Sequence, residues 1–148
     1  MRRFCKPIVI LMADDDEDDR KLTRDAFEES RLANDLRFVE NGEELLDYLS
    51  HRGRFQDEAD APRPGVILLD LNMPRKDGLT VLNEIKADPN LREIPLIVLS
   101  KSKAWDDISS SYNLGAYSYI EKPVTFEALI DVLHTIGDFG IRIMEESL

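Results

Sequence analysis

A chain of 148 residues, 43% hydrophobic and 33% charged, is long enough for one domain with a real core and has the balance of an ordinary globular protein. Its formal net charge of -11 excludes a sequence-independent nucleic-acid binder, which needs a basic stripe, and suits partners or ligands that bring positive charge. The single cysteine, Cys5, excludes an internal disulfide, and no apolar stretch reaches the roughly 18 residues of a membrane span.

Two arginines and an apolar run open the chain, but Asp14 to Asp19 break the run before a signal peptide is complete. A cytoplasmic protein with no membrane partner is the expectation. Ile8 to Ala13 then reads as a first strand. Asp18 to Ser30 reads as a helix, with Leu22/Ala26 and Thr23/Phe27 four residues apart and Asp16 or Asp18 as its N-cap. Asp35 to Val39 is a second strand, and Gly42 to Leu49 a helix with Leu45, Leu46 and Leu49 on one face. His51 to Pro64 is polar and aperiodic, interrupted by Gly53 and Pro62, and reads as a long exposed loop. Gly65 to Asp70 is a third strand, a Val/Ile/Leu run of the kind buried on both faces.

Asp77-Gly78 opens a helix carrying Leu82 and Ile85, with Asp77 as its expected N-cap. Pro95 to Ser100 is strand four, Asp106 to Leu114 a short helix, and Ala116 to Glu121 strand five. Thr125 begins a last helix with Phe126, Leu129, Ile130 and Leu133 on one face. A second stripe, Val132, Ile136, Phe139 and Ile143, packs back on the domain or against a partner. Strands alternating with helices predict an α/β fold, a parallel sheet with helices on both faces.

Polar groups stand at three strand ends: Asp14-Asp15-Asp16, Asp70 and Ser100. Open α/β sheets bind ligands at that edge. Clustered carboxylates repel unless a cation sits among them, and Mg²⁺ suits oxygen ligands and keeps waters that a phosphate can replace. A carboxylate beside such a metal can act as a nucleophile toward phosphorus. Lys122, just after strand five, offers a second counter-charge, and Ser100 a hydrogen-bond donor. Taken singly, these signals are also those of helix caps and solvated loops; their coincidence at strand ends is what favours one site.

The set Asp14-Asp15, Asp70 within LLDLNMPRKDG, Ser100 after IVL, and Lys122-Pro123 in YIEKP resembles the receiver domain of two-component response regulators, over essentially the whole chain. The resemblance implies a flavodoxin-like five-stranded sheet in order 2-1-3-4-5. It implies that Asp70 is the phosphoacceptor and that Asp15, Asp14 (through water), Asp70 and the Asn72 carbonyl hold Mg²⁺. Ser100 and Tyr119 would be the switch pair, Lys122 the contact to the phosphoryl group, and Lys122-Pro123 a cis peptide. Two positions depart from the pattern: Lys101, where a small residue is usual, and Val124, where Phe is common.

Residues 1–137 would form the receiver and 138–148 a C-terminal extension. With no output domain expected, the protein would be a stand-alone regulator that docks to a downstream protein. The insertion SHRGRFQDEADAPRP and the ending KPVTFEALIDVL resemble small regulators associated with bacterial phytochrome histidine kinases. That narrower likeness implies a phytochrome-type sensor kinase as phosphodonor and a homodimer through Phe139, Ile141 and Ile143. The alternatives are a phosphorelay intermediate, a Mg²⁺-dependent phosphohydrolase, disfavoured by Asn72 where such enzymes carry a second acid, and an adaptor that works without phosphorylation. On the favoured reading the protein is not an enzyme beyond its own phosphorylation and dephosphorylation.

Overall fold

The structure is a computed structural model and describes residues 9–29, 35–57, 59–71, 73, 78–101, 109, 113–122, 125, 127–128 and 131. Five parallel strands, β1 (Val9–Ala13), β2 (Asp35–Val39), β3 (Pro64–Asp70), β4 (Leu96–Ser100) and β5 (Ser118–Glu121), form one sheet in the order β2-β1-β3-β4-β5. The described helices are α1 (Glu17–Glu29), α2 (Gly42–Ser50) and α3 (Gly78–Ala87). This is the expected doubly wound arrangement.

Strand periodicity splits the core in two. Leu11, Ala13, Ile67, Leu69, Leu96 and Val98 point to one face and pack with Leu45 and Leu49 of α2 and Val81, Leu82 and Ile85 of α3. Ile10, Met12, Leu68, Ile97 and Leu99 point to the other, where they meet Phe27 of α1, with Ala128 against them. Each such side chain contributes on the order of 1.5–3 kcal/mol by leaving water. α1 turns Thr23 and Phe27 to this core, while Leu22 stays 53% exposed.

Local chemistry fixes the helix starts. Asp16 Oδ1 accepts from the main-chain N of Asp18 (2.9 Å) and Asp19 (3.3 Å), making Asp16 the N-cap of α1. Asn41 Oδ1 accepts from Glu44 N at 2.9 Å at the start of α2, and Glu44 Oε1 accepts in return from Glu40 N. Ala128 N donates to Thr125 Oγ1 at 3.2 Å, the bond expected of an N-cap at Thr125.

The segment expected as an exposed loop, His51 to Pro64, is exposed over most of its described residues but is pinned to the core at Phe55, Ala61 and Pro64. A 3₁₀ turn, Gly53–Phe55, buries Phe55 against Tyr48, ring centroids 5.2 Å apart, and Ala61 is fully buried. Tyr48 OH donates to Pro62 O (2.8 Å), and His51 Nε2 lies 2.9 Å from Ala61 O. Two aromatic rings and two carbonyl contacts thus hold a segment whose polar composition signals solvent. Strands three, four and five begin at Pro64, Leu96 and Ser118, a residue or two from expectation. The short helix Asp106 to Leu114, the two apolar stripes of the last helix, the contacts Phe139, Ile141 and Ile143, Asp77, Pro123 and Val124 lie wholly or mostly outside the described residues.

Candidate functional site

Because all strands run the same way, their carboxyl ends share one edge, and the strand order sets β1 beside β3. Asp14 follows β1, its N–H donating to Val39 O (3.0 Å) on β2. The turn is fixed three more ways: Asp14 Oδ1 accepts from Asp16 N (2.9 Å), Arg20 Nη1 donates to Asp14 O (2.7 Å), and Arg20 Nη2 lies 3.6 Å from Glu40 Oε1. Asp70 ends β3 and is 4% exposed. Gly78 starts α3 and donates its N–H to Leu71 O at 3.1 Å. A Cβ there would fall 2.6 Å from Leu71 Cα and 2.8 Å from Asp70 O, so only glycine lets α3 begin this close to Asp70.

Lys122 leaves β5, its N–H donating to Ser100 O (2.9 Å), and its side chain returns across the end of β4. Nζ lies 2.6 Å from Asp14 Oδ2, 2.8 Å from Asp19 Oδ2 and 3.0 Å from Asp70 Oδ2, with the lysine side chain only 5% exposed. Burial works against the ammonium, but its bonds to Asp14 and Asp19 and the field of Asp70 outweigh it and hold its pKa above the ordinary lysine range. Asp14 stands the other way: burial pushes its carboxyl up to about 6, although Lys122 and the Asp16 N–H favour the anion.

The donor set fits a hard cation. Carboxylate oxygens of Asp14, Asp15 and Asp70 come within 4.8 Å of one another, Asp15 exposed and the other two buried. Asp14 Oδ2 is buried and takes the Lys122 ammonium, 2.6 Å away, as its partner. A cleft of about 200 Å³, lined by Asp15, Asp16, Asp19, Asp70, Lys101 and Lys122, gives access from solvent. An all-oxygen group with one water-facing member is the kind of site a partly hydrated divalent ion takes.

Of the residues expected at the site, Asp14, Asp15, Asp70 and Lys122 converge. Ser100 is fully buried at the end of β4. Tyr119 is half-buried and packs against the α2/α3-side core. Asn72 lies outside the described residues. Lys101 is exposed and lines the cleft. Asp16 serves as a cap, and its bonds from the Asp19 and Asp18 N–H groups lower its pKa.

Sequence reasoning missed Asp19 and Arg20. Glu17, Asp18 and Asp19 are all first-turn acids, so no sequence signal singled out Asp19.

No described helix is long and apolar enough to cross a membrane. The chain matches the response regulator receiver domain over residues 10–134. Response regulator Rcp1 of Synechocystis sp. is 35% identical over 136 residues, 92% of this chain and 90% of that protein. Among solved structures, bacteriophytochrome response regulator RtBRR superposes with a TM-score of 0.81 at 36% identity, over 95% of this chain and 83% of that one. The phosphorylated cyanobacterial phytochrome response regulator RcpA gives 0.73 at 39% identity, over 88% and 91%. The Mn(2+)-bound form of Rcp1 gives 0.74 at 33% identity, over 96% and 100%.

Proposed function

The chain belongs to the response regulator receiver family, and from that premise we propose that Asp70 takes a phosphoryl group from the phosphohistidine of a sensor histidine kinase. The observation that carries the reading is the meeting of Asp14, Asp15 and Asp70 with the Lys122 ammonium at one strand edge. Asp15, Asp70 and the Asn72 carbonyl, with Asp14 through water, would hold a Mg²⁺ ion, which would supply the positive charge that lets an anionic nucleophile meet an anionic donor.

In the transfer, an Asp70 carboxylate oxygen bonds to phosphorus as the P–N bond breaks, and that electron pair returns to the donor imidazole. Lys122 neutralises phosphoryl oxygens from the β5 side. Ser100 turns its hydroxyl toward them, and Tyr119 follows inward, altering the surface around β5. The change is a shift between two states, driven by contacts only the phosphorylated form makes. The likeness to the bacteriophytochrome response regulator RtBRR and the cyanobacterial phytochrome response regulator RcpA supports a phytochrome-type kinase as donor. A downstream protein would read the switched surface, and Phe139, Ile141 and Ile143 would join two copies.

The test is intact mass after incubation with a small phosphodonor and Mg²⁺. One added phosphoryl group on wild type, absent in Asp70→Asn, is expected. No addition to wild type overturns the function, and addition to Asp70→Asn overturns the acceptor. For the dimer, sedimentation of a variant with Phe139 and Ile143 made polar should give half the wild-type mass; an unchanged mass removes those contacts.

A further inference from the structure

Lys122 Nζ has three protons and three carboxylates around it, but the three are not equivalent. Asp14 and Asp70 belong to the oxygen group that suits a cation; Asp19 does not. When that group turns to a metal, and Asp70 to phosphorus, Asp19 is the acceptor left to Lys122. Asp19 is also held in place. Its N–H donates to Asp16 Oδ1 (3.3 Å), and its carbonyl accepts from the Oγ1 of the buried Thr23 (3.1 Å). Its main chain is therefore fixed at the start of α1, where the helix dipole favours an anion. Its side chain is 15% exposed at the cleft and bonds Lys122 at 2.8 Å across 103 residues of sequence.

We propose that Asp19 is a positioning residue, which keeps the Lys122 ammonium aimed at Asp70 while Asp14 and Asp70 engage the cation and the phosphoryl group. A lysine has four flexible methylenes and a point charge, so without a fixed acceptor its head swings toward the water-filled cleft. The proposal rests on the reading of Asp70 as phosphoacceptor and of Lys122 as the group facing it. It places α1 in the chemistry through its first turn, by way of Lys122.

The experiment compares Asp19→Ala, Asp19→Ser and Asp19→Asn with wild type in the full chain, using phosphoramidate and Mg²⁺. Asp19→Ala, and Asp19→Ser, whose hydroxyl is too short to reach Nζ, should lower the maximal phosphorylation rate roughly tenfold with little change in donor KM. Asp19→Asn, which keeps an acceptor oxygen, should restore most of it. In a Lys122→Ala background, Asp19→Ala should have no further effect, because the two residues act as one unit.

Independently of any phosphorylation, the Lys122 Nζ protons should give a slowly exchanging NMR signal in the Mg²⁺-loaded wild type, lost in Asp19→Ala. The same tenfold loss in the Lys122→Ala background, or a Nζ signal unmoved by Asp19→Ala, overturns the proposal. A wild type that accepts no phosphoryl group overturns the proposed function instead, and the Nζ signal then decides the role of Asp19 alone.

Discussion

The two ends of β3 each hold a buried polar cluster, and the clusters are balanced in opposite ways. At the Pro64 end, Tyr48 OH and His51 Nε2 meet the carbonyls of Pro62 and Ala61, and burial pushes the Tyr48 phenol up to about 12, so it stays neutral. The neutral Tyr48 hydroxyl meets a neutral carbonyl, even though a hollow of about 400 Å³ lies beside it. At the Asp70 end, the single ammonium of Lys122 faces Asp14, Asp19 and Asp70, with Asp15 at the rim. The first cluster closes a loop and needs nothing more. The second carries more negative charge than its own lysine cancels, and a buried surplus of charge calls for a ligand of opposite sign. The larger hollow therefore says less about function than the smaller, charged cleft.

Removing the buried cation tests this contrast most severely. Lys122→Ala should destabilise the metal-free protein by about 3–5 kcal/mol in urea unfolding, since it strands buried carboxylates. Saturating Mg²⁺ should restore part of the loss; a loss that Mg²⁺ leaves untouched would mean packing, not charge, was removed. At the other end, Phe55→Ala should cost about 3 kcal/mol through lost packing on Tyr48 and be indifferent to Mg²⁺.

Asp14→Asn should act in the opposite direction. With its carboxyl raised from 3.8 to about 6, Asp14 binds a proton more tightly folded than unfolded. Its stabilising contribution is thus complete below about pH 3.8 and is lost as pH rises through 6. Metal-free Asp14→Asn should therefore gain about 1–3 kcal/mol over wild type at pH 7.5, and the gain should vanish near pH 4. Wild-type affinity for Mg²⁺ should fall as pH drops below 6, because metal and proton compete for one carboxylate. Flat curves in both measurements would break the comparison. The smallest effect is at the neutral cluster: Tyr48→Phe should cost about 1 kcal/mol, with no dependence on pH or metal.

What the sequence revealed and hid divides along the same line. The strands were legible because β1, β3 and β4 are unbroken apolar runs, and the site was legible because its carboxylates directly follow those runs. Asp19 was not. In a run from Asp14 to Asp19 it looks like one more solvated first-turn acid, and only the return of Lys122 from 103 residues away gives it a partner. Phe55 and Ala61 were missed because single apolar residues in a polar stretch carry no period; Phe55 is covered by Tyr48, on α2, and Ala61 joins the same core cluster. The exposure of Leu22 followed from a choice no spacing decides, since Leu22/Ala26 and Thr23/Phe27 are equally helical.

Lys122 also sets when the site can exist. Asp14, Asp15 and Asp19 leave the ribosome early and Asp70 midway, but the lysine that faces them comes just after β5, across the end of β4. A growing chain can pair β1, β2 and β3 and still hold an acidic edge that resists closing. Competence to carry a phosphoryl group thus arrives with the docking of β5, so that only a finished fold can take the signal.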